Sequence, residues 1–221
     1  MSMNPSPLPP TDGAGSVFAV VAPSGAGKTS LVRAMLEQRP RMELSISFTT
    51  RAPRPGERDG VDYHFISDAD FQRRREAGEF LEWARVHDNH YATSRAWIAG
   101  RVAAGRDIVL EIDWQGAMQV RGLMPETVGV FIAPPSVQTL RERLVRRGQD
   151  SPAVIERRVA AAREELAQAH RFDYLIVNQD FDLALRELLA VVDAAGMRFA
   201  RQRARHPELF RALFGSDPAV D

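Results

Sequence analysis

The chain has no cysteine among its 221 residues. Disulfides, thiolate zinc sites and cysteine nucleophiles are therefore all excluded. Net charge is lacking too. Its 29 basic side chains balance 29 acidic ones, which argues against a general polyanion binder and leaves room for a local basic pocket. No apolar run approaches the ~18 residues that a membrane span needs. Residues 1–16 have neither a basic segment nor an apolar stretch, so they do not read as a secretory signal. These absences predict a soluble, cytoplasmic protein, with no call for a membrane, a nucleic acid or an obligate protein partner. The scarcest charged residue is lysine: Lys28 is the only one, and every other basic side chain is arginine. Such a bias reads first as genomic base composition, but the one exception sits between Gly27 and Thr29.

What is present fits one domain with a real core, 44% of the residues being hydrophobic. Residues 1–16 carry Pro5, Pro7, Pro9 and Pro10 among small polar residues, the makeup of a disordered leader. Val17 to Val21 is a wholly apolar strand of the kind buried on both faces of a parallel sheet. A glycine-rich break follows, then a helix over Lys28 to Gln38. Similar strands return at Asp107–Asp113, Thr127–Ile132 and Phe172–Asn178, and a helix is expected from about Leu183 to Phe199. Alternating strands and helices predict an α/β fold, a doubly wound and mostly parallel sheet. Two stretches interrupt the rhythm. Residues 45–95 carry short strands at Ser45–Ser47, Tyr63–Phe65 and Phe80–Trp83, and residues 137–169 form two arginine-rich helical runs.

The sequence Ala22-Pro23-Ser24-Gly25-Ala26-Gly27-Lys28-Thr29 has the form of a phosphate-binding loop, with alanine where the strict pattern has its first glycine. Glycines let successive backbone N–H groups converge on phosphate oxygens, and the following helix N-terminus adds positive potential. The lysine reaches the terminal phosphates and the Thr29 hydroxyl is a Mg²⁺ ligand. Position after a strand and at the head of a helix separates this loop from an ordinary glycine-rich turn. Ala22 is tolerable if its backbone stays extended. Arg51 and Arg54, stiffened by Pro53 and Pro55, suit a monophosphate that guanidinium forks grip bidentately, and Tyr63 adds a phenolic hydroxyl. Taken alone, the stretch reads equally as a basic hairpin surface. The acids ending the strand at Glu111 and Asp113 are expected on one face, where either carboxylate holds Mg²⁺ opposite Thr29, partly through water.

The loop, the Ser47…Arg51…Arg54…Glu57…Tyr63 spacing, Phe80-Leu-Glu82-Trp-Ala, Tyr91-Ala-Thr93, Glu111-Ile-Asp113-Trp-Gln-Gly116 and Arg147-Gly148 occur in this order. Together, from about Val17 to Phe199, they resemble the guanylate kinase family. The resemblance implies a three-layer P-loop fold. Its core would be residues 17–44, 97–136 and 170–205, with a GMP-binding lobe at 45–96, a helical lid at 137–169 and a tail at 206–221. It implies Mg²⁺-dependent transfer of the ATP γ-phosphoryl group to GMP or dGMP. Ala22 to Ser30, Arg143, Arg147 and Asn178 would then bind ATP. Ser47, Arg51, Arg54, Glu57, Tyr63, Glu82, Tyr91, Thr93 and Asp113 would form the GMP site. Lys28, Arg51, Arg147 and Arg158 would act on the transferred group. Guanine presents O6 as acceptor and an N1–H/N2–H edge as donor, which suits a hydroxyl such as Ser47 and a carboxylate such as Glu82. Without the resemblance, Glu82 would read as an exposed strand residue. Ala92 stands where the family has glycine, a strained choice if that backbone is left-handed. The rival readings are a non-catalytic protein-binding module of the same fold and a related kinase with another acceptor.

Overall fold

The computed structural model describes residues 15–86, 88–148 and 150–215. Most of the expected leader (residues 1–14) and the end of the tail (216–221) lie outside them. In chain order the elements are β1 (Val17–Val21), α1 (Lys28–Gln38), β2 (Met42–Leu44), β3 (Phe48–Thr49), β4 (His64–Phe65), α2 (Asp68–Glu76), β5 (Phe80–Val86) and β6 (Asn89–Ser94). Then come α3 (Arg95–Ala103), β7 (Asp107–Glu111), α4 (Trp114–Leu123), β8 (Val128–Ala133), α5 (Val137–Arg147) and α6 (Pro152–Leu166). A 3₁₀ turn at Ala169–Arg171 precedes β9 (Tyr174–Val177), α7 (Phe181–Gly196), α8 (Phe199–Arg205) and α9 (Pro207–Phe214).

Five strands form a parallel sheet in the order β2-β7-β1-β8-β9. Strand alternation explains why β1 is apolar throughout. Phe18 and Val20 join Leu31, Val32 and Met35 of α1 and Leu188 and Val192 of α7 in one core. Val17, Ala19 and Val21 point the other way, into Ile98 and Val102 of α3 and Ala117 and Val120 of α4. Neither face of β1 meets water, so no position in it tolerates a polar side chain, and each large side chain buried there stabilises by about 1.5–3 kcal/mol. The three layers are thus helices, sheet and helices, as expected of a doubly wound fold.

A second, four-stranded sheet runs β4-β3-β6-β5, with β3–β4 parallel and the other two pairs antiparallel. It has its own core, in which Phe71 of α2 packs on Phe80 and Ala92 with Phe48 and Ile66 at the margin. The α5–α6 hairpin likewise closes on itself through Leu140, Leu144, Ile155, Val159 and Ala162. Both stretches that break the strand–helix rhythm therefore carry local cores.

Several element bounds differ from the sequence reading by one to three residues, and three of the differences bear on the site or its flanks. The strand expected over 107–113 stops at Glu111, because Asp113 leaves the sheet to cap α4 and accepts from Gly116 N at 2.8 Å. Aspartate favours that N-cap role over a strand end. Consequently Glu111 and Asp113 do not share one strand face. Ser45–Ser47 is not a strand: the pairing residues are Met42–Leu44 before it and Phe48–Thr49 after it. The helix expected from Leu183 starts earlier, where Asp180 accepts from Leu183 N at 2.8 Å, and it ends at Gly196.

Candidate active site

Ala22 to Gly27 leave the carboxyl end of β1, the edge where ligands of parallel sheets bind. The loop closes with Ala26 N donating to Pro23 O at 3.0 Å. Gly27 is the N-cap of α1 with φ 95°, and a Cβ there would collide with Asn178 Nδ2, so the position excludes any side chain. Among described non-glycine residues only Asp88 has a positive φ. Ala22 and Ala92 therefore sit in ordinary backbone, Ala92 as a buried residue of β6, and the strain feared at Ala92 does not arise.

Lys28 Nζ lies 3.3 Å from the Ile112 carbonyl, just past the end of β7. Desolvation lowers its pKa, opposed by the nearby carboxylates of Glu111, Glu165 and Asp113. The Thr29 hydroxyl donates to Glu111 Oε2 at 2.8 Å. Glu111, not Asp113, thus meets Thr29, while Asp113 is occupied in capping α4. Ser30 is exposed in the first turn of α1. The hairpin of α5 and α6 leans over the same loop. Arg143 donates to Asn178 O at 2.9 Å and Ala26 O at 3.4 Å, and Asn178 Nδ2 donates to Ala26 O at 2.6 Å. Arg158 pairs with Asp150 at 3.1 Å and reaches Ser24 Oγ at 3.5 Å. Arg147 is exposed at the last position of α5.

On the second sheet, Arg51 makes a forked contact with Glu57 at 2.8 and 2.9 Å and stands over the Tyr63 ring at 5.3 Å. Burial opposes the Arg51 charge, but its hydrogen bonds to Glu57 and Tyr91 outweigh that and raise its pKa. The same Glu57 carboxylate accepts from Arg54 N at 2.7 Å, and Arg51 holds it below the usual range. The Arg54 side chain is left exposed. Glu57 therefore organises the loop that carries both arginines. Tyr63 and Tyr91 meet edge to face at 5.9 Å, and burial pushes the Tyr63 phenol up. Ser47 is half-buried ahead of β3.

Glu82 is the most unusual group. It is 3% exposed, yet its polar surroundings are few: Thr93 Oγ1 donates to Oε1 at 2.6 Å, while Oε2 lies against Gly116. Burial, assisted by the negative charge of Asp113, pushes its pKa up to about 7, against the Thr93 hydrogen bond. A Cβ at position 116 would stand 2.5 Å from Glu82 Oε2, which explains glycine there. Burial likewise raises Asp113.

Sequence reasoning missed Glu165. Its Arg163-Glu164-Glu165 surroundings read as a solvated helix face, but it is seven residues from Arg158 and so shares that side of α6. In the structure it faces Lys28, and burial pushes its carboxyl up to about 7. Gly116 was seen only as part of a motif; its role as the floor beneath Glu82 depends on β5 meeting α4.

Fold and site together define an α/β protein with a loop of the phosphate-binding form at the carboxyl edge of a parallel sheet, and a second, smaller sheet that carries Arg51, Glu57 and Glu82. The profile of the guanylate kinase family matches residues 15–195. The chain is 56% identical over 200 residues to guanylate kinase from Dechloromonas aromatica, covering 90% of this chain and 99% of that one. It is also 56% identical over 199 residues to guanylate kinase from Cupriavidus metallidurans, covering 90% and 92%. The crystal structure of guanylate kinase from Anaplasma phagocytophilum superposes with a TM-score of 0.74 at 30% identity, covering 93% and 98%. The chain belongs to the guanylate kinase family.

Proposed function

We propose that this enzyme transfers the γ-phosphoryl group of ATP to GMP, and to dGMP, giving ADP and GDP. The carrying observation is the buried Glu82–Thr93 pair in a chain whose phosphate loop keeps Gly25, Gly27, Lys28 and Thr29. A buried carboxylate with one hydroxyl partner keeps free acceptor capacity, and guanine is the base whose N1–H/N2–H edge supplies two donors to it. Ser47 donates to O6. Asp113 and Thr93 complete the base end of the pocket, and Arg51, Arg54, Tyr63 and Tyr91 hold the monophosphate, with Glu57 ordering them. Residues 45–96 form this GMP lobe, and residues 137–169 form a lid over ATP.

At the other end, the backbone of Ala22 to Gly27 cradles the ATP phosphates with Lys28, Thr29 and Ser30. Arg143 and Asn178 already touch the loop, and Arg147 and Arg158 approach the transferred group from the lid. An anionic oxygen of the GMP phosphate attacks Pγ, a P–O bond forms, and the bond from Pγ to the β-phosphate oxygen breaks as ADP leaves. The nucleophile is already ionised, so no general base is required. This chain's part is positioning and charge neutralisation. Thr29 and Glu111 offer a hydroxyl and a carboxylate at one point, a hard oxygen set suited to Mg²⁺ held mainly by substrate phosphates. Held there, a Mg²⁺ ion would supply charge neutralisation to the transferring phosphates.

A non-catalytic binding module has no need of Gly25, Gly27, Lys28 and Thr29, all of which are present. Among the described residues no helix is long and apolar enough to cross a membrane. The test is a coupled assay of transfer from ATP to GMP, dGMP, AMP, UMP and dTMP. GMP should exceed AMP and the pyrimidine nucleotides in kcat/KM by at least ~10²-fold. Equal use of AMP, or no transfer at all, contradicts the proposal.

A further inference from the structure

We infer that Gln119 is a positioning residue for base recognition: its side-chain amide docks β5 onto α4 and so fixes where Glu82 stands. The inference rests on the proposed role of Glu82. Gln119 Nε2 donates to Trp83 O at 2.8 Å, and Gln119 Oε1 accepts from Trp83 N at 3.2 Å. Trp83 is the residue next to Glu82, on the strand that ends the second sheet. Its other side is taken by Ala92 of β6. An edge strand leaves outward N–H and C=O groups unpaired. Here one side chain answers both, as a further strand would. Only asparagine and glutamine carry a side-chain amide, whose neutral donor and acceptor sit side by side as a peptide edge requires, and of the two glutamine has the length used here.

The spacing makes the contact a device for alignment. Asp113, Gly116 and Gln119 succeed one another at three-residue steps along one side of α4. Asp113 follows Ile112, whose carbonyl accepts from Lys28 Nζ at 3.3 Å, Gly116 leaves room for the Glu82 carboxylate, and Gln119 grips the next residue's backbone. One helix therefore ties the base-reading carboxylate to the phosphate loop. Because Gln119 itself is exposed, its replacement should leave the fold intact.

The test compares Gln119→Met, which keeps length without the paired hydrogen bonds, and Gln119→Glu, which turns a donor into an anion facing Trp83 O. Expected in both are a GMP KM raised about five- to tenfold, as loss of two partly exposed hydrogen bonds implies, and a narrower preference for GMP over IMP. ATP KM should stay within about twofold, a split that general loosening of the fold would not produce. Amide exchange at Trp83 should quicken at least ~10-fold while the β1 amides stay protected. An unchanged GMP KM in both variants overturns the inference, and so does an equal rise in ATP KM. Wild-type protein that ignores GMP would overturn the proposed function itself. Wild-type activity with silent Gln119 variants overturns only the positioning role.

Discussion

Thr93 and Glu82 meet at 2.6 Å across β6 and β5, a hydroxyl donating to a carboxylate that is 3% exposed. Glu82 pairs with Thr93 in the strand register and lies over Gly116 of α4. The contact is therefore fixed by two elements at once. One acceptor oxygen is satisfied by Thr93, and the carboxylate keeps acceptor capacity beyond it. That surplus is what a base with two donors would use, and in its absence the group is a liability.

The liability has a pH signature. Burial raises Glu82 from the ordinary 4.5 to about 7 in the folded, ligand-free protein. Between these values the folded state binds more protons than the unfolded one, so stability falls as pH rises from about 4.5 to about 7. Glu165 has the same sign. Glu82→Gln should therefore gain about 3 kcal/mol on the wild type at pH 8 and almost nothing at pH 4. Nucleotide-free urea denaturation at both pH values measures this, and a variant less stable at pH 8 would contradict it.

Lys28 is the next target. Lys28→Ala should keep its fold and lose at least ~10²-fold in kcat, since it removes charge stabilisation from a desolvated site. Lys28→Arg should also fail, because a broad planar fork does not replace a compact ammonium beneath a tight loop. Near-normal turnover of either variant would take Lys28 out of the mechanism.

Arg51→Ala should raise the GMP KM and lower kcat with ATP affinity nearly unchanged. The expected loss is about 1.5–3 kcal/mol for a charge-assisted pair. It also frees Glu57, which binds Arg51 at 2.8 Å and Arg54 N at 2.7 Å, so Arg51→Lys should recover little. A larger effect on ATP than on GMP would mean that the two sites are assigned the wrong way round.

Gly116→Ala places a methyl 2.5 Å from Glu82 Oε2. Strand and helix must part, at about 1–3 kcal/mol, and GMP KM should rise more than ATP KM. Unaltered stability and unaltered GMP KM would show that β5 does not lean on α4 at this point.

How much of this was legible beforehand depended on sequence distance. The loop and the bounds of α1 come from adjacent residues, so glycine placement and 3.6-residue periodicity suffice to read them. Ala22 and Ala92 were open because backbone dihedrals are not written in residue type, and both are ordinary. Asp113 was placed on a strand because alternation says nothing about where a helix cap takes over. β2 went unread because three residues give too little periodicity. Glu165 and Gln119 were invisible for a different reason: each acts on a residue far away in the chain, Lys28 and Trp83, through packing that only the fold creates.

The central claim is that Glu82 selects guanine, and it is tested most directly by kcat/KM for GMP and IMP in wild type and Glu82→Gln. IMP lacks the N2 amino donor. The account predicts that wild type strongly prefers GMP, that the variant loses about 2–4 kcal/mol with GMP, and that the gap between the two substrates narrows while ATP KM hardly moves. Equal use of IMP and GMP by the wild type, or full guanine preference retained in Glu82→Gln, would contradict it.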